Sequence, residues 1–92
     1  MAAIFVHVKR AVNLRSADFM GKSDPYVRFD FATDLTTSVI DNNNNPQWDE
    51  CFTLRLESPR DSLVFEVYDK DDYGIIGAQT LIGRVVLHGT ML

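Results

Sequence analysis

The chain has 92 residues, 46% of them hydrophobic and 24% charged, with a net charge of -4. That suffices for one small domain with one modest core. The acidic balance argues against nonspecific binding to nucleic acid, and against direct docking to an anionic membrane unless bound cations reverse the sign locally.

In chain order, the N-terminal stretch sets Ile4, Val6 and Val8 against Phe5 and His7, an alternation that predicts a strand over 3–9. It lacks the basic start and continuous apolar core of a signal peptide. After the segment DFMGKSDPY, the run YVRFDF alternates Val27, Phe29 and Phe31 against Arg28 and Asp30, predicting a strand over 25–31. A third strand is expected over 36–40. Asn42 to Asn45 read most simply as a turn before Pro46, because asparagine tolerates left-handed backbone and bonds its own chain. WDECFTLRL places Trp48, Phe52, Leu54 and Leu56 on one face of a strand over 48–56. LVFEVY does the same with Leu63, Phe65 and Val67 over 62–68, and a last strand is expected over 81–87. Turn signals separate these runs and no helix-period segment, repeat or linker is present, so the expected fold is an all-β antiparallel sandwich. No apolar run approaches the ~20 residues of a spanning helix. The single Cys51 excludes an internal disulfide framework and fits a reducing, cytosolic setting. Six strands fit a two-sheet sandwich awkwardly and leave an edge exposed. The expectation is therefore one domain over 1–92 from a longer protein, or one whose edge strands come from elsewhere, including a dimer or strand-swapped assembly.

Two acidic groups stand where strands give way to loops. Asp18 and Asp24 bracket Gly21 before Pro25; Asp69, Asp71 and Asp72 crowd into VYDKDDYG. Calcium takes six to eight oxygen ligands, and carboxylates this close repel one another unless a cation neutralises them. Two such loops at one end of a sandwich would form a cup of oxygens. From composition alone, solvated loop acids explain the same residues equally well. An EF-hand is excluded: DKDDYGIIGAQT has Thr80 where the bidentate Glu is needed, and its flanks read as strands.

The string D-F-M-G-K-S-D-P-Y-V resembles the signature of C2 domains. NNPQWDECFTL, LVFEVYDKDD and LIGRVVL resemble further blocks of that family, in the family's order and over nearly the whole chain. The resemblance implies a Greek-key β-sandwich of type II topology with calcium loops at one end, about six of the usual eight strands being present here. It implies Asp18, Asp24, Asp69 and Asp71 as calcium ligands, with backbone carbonyls from Phe19 and Lys70. Asn42 matches a second-loop position that supplies an amide oxygen in some members. The fifth acidic ligand is missing: Gln79 or Thr80 stands in its place, and Asp72 points away from Asp71 in an extended segment.

The function expected is calcium-dependent binding to a phospholipid membrane surface, cytoplasmic and peripheral, with Phe19, Met20, Tyr73, Ile75 and Ile76 inserting at the loop tips. RFDFATDLTTSVI carries one basic residue, Arg28, which argues against a lysine-rich phosphoinositide site. The alternative is a calcium-independent C2 module that docks other protein domains, by strand addition to an exposed edge. Catalysis finds no support: neither His7 nor His88 has a paired nucleophile or metal-ligand spacing, and no phosphate loop accompanies the aspartates.

Overall fold

The alternation read from the sequence becomes an alternation of burial in the computed structural model, which describes residues 2–16, 21–56, 62–70 and 79–88. Six strands form: β1 (Ala2–Arg10), β2 (Pro25–Phe29), β3 (Ala32–Thr36), β4 (Gln47–Leu56), β5 (Ser62–Lys70) and β6 (Gln79–His88). They assemble as a two-stranded sheet, β1-β4, and a four-stranded sheet in the order β3-β2-β5-β6. All pairs are antiparallel. This is the expected antiparallel β-sandwich. No helix among the described residues is long and apolar enough to cross a membrane.

The inward faces are the predicted ones. Ile4, Val6 and Val8 pack against a core of Val27, Phe29, Trp48, Leu54 and Val67. Phe29 is its centre, with 0% of its surface exposed. Its ring lies 4.9 Å from that of Phe52, 5.5 Å from Phe31 and 5.7 Å from Phe65, the first and last of these edge-on. Edge-to-face packing suits the quadrupoles of aromatic rings and adds to the gain from burial.

β1, β4 and β6 run one or two residues beyond the expected ranges, and β2, β3 and β5 differ in more informative ways. β2 stops at Phe29 because the Asp30 side chain takes over the ladder: its Oδ1 accepts the Val64 N–H at 3.0 Å, while the Asp30 N–H reaches the Val64 carbonyl at 3.1 Å. The third strand falls at 32–36 rather than 36–40. Beyond it, residues 37–40 still run beside β2, but irregularly. The Thr37 hydroxyl accepts the Val27 N–H at 2.9 Å in place of a backbone carbonyl. The N–H groups of Thr37 and Ile40 bond the carbonyls of Val27 and Pro25. β5 runs on to Lys70, so Asp69 continues the inward stripe of Leu63, Phe65 and Val67. The β1–β4 register shifts between Val8 and Arg10, opposite Asp49 in left-handed backbone (φ 49°).

Among the described residues β1 pairs on one side only. On β6, Val85 and Leu87 are 52% and 50% exposed. Phe5, on the outer face of β1, is 81% exposed.

Truncating the aromatic centre should leave a cavity lined by the rings of Phe31, Phe52 and Phe65. Phe29→Ala is expected to lower unfolding free energy by about 3–5 kcal/mol, and Phe5→Ser by less than about 0.5 kcal/mol. Urea denaturation of both variants checks the contrast.

Candidate functional site

The site grows from the end of the four-stranded sheet where β2 begins and β5 ends. Pro25 stands opposite Asp69 in the β2–β5 register. Asp69 is 0% exposed, and its Oδ1 accepts the Asp24 N–H at 2.7 Å. In return the Asp24 carbonyl accepts the Lys70 N–H at 3.1 Å. Burying a carboxylate is costly unless hydrogen bonds compensate it, and a short bond from a backbone N–H to an anionic oxygen is among the stronger ones. The Asp24 side chain is held from another direction: its Oδ1 accepts the Asn42 N–H at 2.7 Å. Three segments distant in sequence thus meet at Asp24.

The asparagine tract surrounds this junction. Asn42 adopts left-handed backbone (φ 52°), a conformation asparagine tolerates better than most residues. Its amide oxygen accepts the Lys22 N–H at 3.0 Å. Asn44 Oδ1 accepts the Ser23 N–H at 3.0 Å, and its Nδ2 donates to the Ser16 hydroxyl at 3.1 Å. Asn45 Oδ1 accepts the Asn13 N–H at 2.8 Å. Two backbone bonds reinforce the contact: the Leu14 N–H to the Asn44 carbonyl at 2.9 Å, and the Asn43 N–H to the Ser23 carbonyl at 2.8 Å. Reading the tract as a plain turn missed this role. The available signal was that four successive amides offer far more donors and acceptors than one turn consumes.

Of the residues expected to hold calcium, Asp24 and Asp69 are brought together, Lys70 is bonded through its N–H to Asp24, and Asn42 touches Asp24 through its backbone. Asp18, Phe19, Met20, Asp71, Tyr73, Ile75 and Ile76 lie outside the described residues. Among the described residues no group of three or more His, Cys, Asp or Glu side chains gathers in a metal-holding arrangement. Asp24 and Asp69 nevertheless carry oxygens of the kind a hard cation takes. Each Oδ1 takes a backbone N–H, and a carboxylate oxygen accepts more than one bond.

At the position of the missing fifth acid, Gln79 opens β6 and accepts a hydrogen bond from the Tyr26 hydroxyl. Thr80 stands opposite Asp69 in the β5–β6 register. Tyr26 stacks on Tyr68 with ring centroids 5.8 Å apart, and the Arg28 guanidinium lies 6.0 Å from the Tyr68 ring centre. Burial pushes the Tyr26 hydroxyl above its usual range and the Tyr68 phenol adds to this, while Arg28 opposes both. Away from this end, His7 and Asp49 form an exposed contact at 3.4 Å, and Cys51 is exposed on β4.

With this geometry in view, comparison with known proteins assigns the family. The C2 domain profile matches residues 2–90, and the chain belongs to that family. A calcium-dependent lipid-binding protein of Arabidopsis thaliana is 38% identical over 87 residues, covering 91% of this chain and 16% of that protein. A C2-domain ABA-related protein 8 of the same plant is 39% identical over 69 residues, covering 74% of this chain and 41% of that one. The chain therefore spans well under half the length of these relatives. Among solved structures, the C2A domain of a plant extended synaptotagmin 1 superposes with a TM-score of 0.77 at 35% identity, covering 94% of this chain and 67% of that one.

Two outcomes follow from the junction. Asp69→Ala removes the acceptor for the Asp24 N–H and is expected to cost about 1–3 kcal/mol in calcium-free protein. Asp69→Asn keeps an acceptor and should cost less; chemical denaturation in the presence of a chelator compares them. For Tyr26, a folded-state pKa raised above 10.0 means that the fold favours the protonated phenol. Its contribution is complete below the unfolded value and is lost as pH climbs through the folded one. The stability advantage of wild type over Tyr26→Phe should shrink above about pH 10, measured by thermal melts across that range.

Proposed function

We propose that this C2 domain is a calcium-dependent module that binds phospholipid membrane surfaces peripherally. The observation that carries the reading is the buried carboxylate of Asp69 locked onto Asp24 at one end of the sandwich. The name of the calcium-dependent lipid-binding relative supports it. Asp18 and Asp71 complete the acidic set, with the carbonyls of Phe19 and Lys70 as neutral oxygens. When bound, calcium supplies the positive charge that cancels these carboxylates, together with open positions for lipid phosphate oxygens. The apolar tips do the rest: Phe19 and Met20 in the first loop, and Tyr73, Ile75 and Ile76 in the third, enter the headgroup region once the neighbouring charge is neutralised. Gln79, turned to the Tyr26 hydroxyl, adds no charge to the site, so the cup holds fewer carboxylates than a full C2 set. The working location is cytoplasmic, at membranes, and any chemistry belongs to other parts of a longer protein.

A second reading, protein docking without calcium, draws on the open side of β1 and the exposed Val85 and Leu87. Strand addition along such an edge is a recurrent mode of recognition.

Flotation with phosphatidylserine–phosphatidylcholine vesicles separates the two. Binding should require calcium, vanish with a chelator, and be lost in Asp69→Asn. Phe19→Ser and Ile75→Ser should each weaken partition by about tenfold or more, given roughly 1.5–3 kcal/mol per buried large apolar side chain. Vesicle binding unchanged by a chelator, or a melting temperature unmoved by calcium, would give the second reading the field.

A further inference from the structure

We propose that the asparagine tract is the positioning element of the cation site, an inference that rests on the calcium reading above. Its side chains bond the described segments on either side of residues 17–20, the second of which ends at Asp24. On the entering flank, Asn45 holds the Asn13 N–H and Asn44 donates to the Ser16 hydroxyl. On the leaving flank, Asn44 holds the Ser23 N–H and Asn42 the Lys22 N–H. Asn44 is the bridge, because one amide serves as donor to one flank and acceptor to the other. The Asn42 backbone N–H then fixes the Asp24 carboxylate itself at 2.7 Å. In this assignment the Asn42 amide oxygen serves the loop through Lys22, and its backbone serves the ligand.

The chemistry explains why these residues are amides. An aspartate at 44 would keep the acceptor, lose the donor, and bring another negative charge to a junction that already gathers Asp24 and Asp69. Serine or alanine would not span both flanks. Neutral amides orient the loop without raising the repulsion that the cation must overcome. At 42 the left-handed backbone adds a second requirement, which glycine also meets. Asn42→Gly therefore removes the amide while leaving the backbone unstrained and the Asp24 contact possible.

The test is calorimetric titration of the whole 92-residue chain with calcium alone, beside far-UV circular dichroism and a melt in chelator. Residues that orient a ligand without touching the metal typically change its affinity by about 10–100-fold. Asn44→Ala and Asn42→Gly should weaken calcium binding by about tenfold or more at a temperature where both remain folded, with the number of bound ions unchanged. Asn44→Asp should not rescue affinity, since it lacks the donor. If wild type binds calcium and both folded variants match its affinity, the inference is overturned and the function stands. If wild type binds no calcium at all, both fall together. Should Asn44→Ala fail to fold, Asn42→Gly decides alone.

Discussion

Everything at this end of the molecule depends on one carboxylate placed where an apolar side chain would ordinarily go. β5 presents Leu63, Phe65 and Val67 inward, and the next residue on that face is Asp69. Its burial is tolerated because the Asp24 N–H meets it at 2.7 Å. The reciprocal bond from the Lys70 N–H to the Asp24 carbonyl makes the contact two-stranded. The junction extends the β2–β5 ladder by one residue, from Pro25 to Asp24, and ties Asp24 to the sheet. A ligand anchored on a strand keeps its geometry better than one carried on a free loop.

The asparagine tract holds segments 13–16 and 21–24 together, through amide groups and two backbone bonds. The division of labour is electrostatic. In the proposed reading, charged side chains serve the cation and neutral ones carry the architecture. A site built wholly from acids would be destabilised in the calcium-free state by its own repulsion, and would exact a larger cost on folding.

Strand composition and the inward faces were legible because period-two alternation is a direct consequence of pleat geometry, and Ile4, Val27, Phe29, Leu54 and Val67 follow it without exception. The fold class followed from the same pattern. The third strand was misplaced because its boundary depends on Thr37, whose hydroxyl stands in for a carbonyl; nothing in periodicity marks such a substitution. Asp24 and Asp69 were legible as partners through the family's motif, but the bond joining them was not, since it runs between residues 45 apart. The asparagines were underread for a related reason. A run of four asparagines is sufficient to explain a turn, and the neighbours that consume their amides arrive only with the fold.

The two sheets contribute unequally. Asp24, Asp69, Lys70 and the stacked Tyr26–Tyr68 pair belong to β2, β5 and the segment leading into β2, all on the four-stranded sheet. The β1-β4 sheet supplies core through Ile4, Val6, Trp48 and Leu54, and meets the site where the segment leaving β1, 13–16, bonds Asn44 and Asn45 on the approach to β4. Among the described residues, the unpaired side of β1 and the exposed Val85 and Leu87 lie apart from the Asp24–Asp69 junction. Under the proposed reading, cation affinity and sheet completion are separable, because the bonds that orient Asp24 close within the loops and the β2–β5 pair.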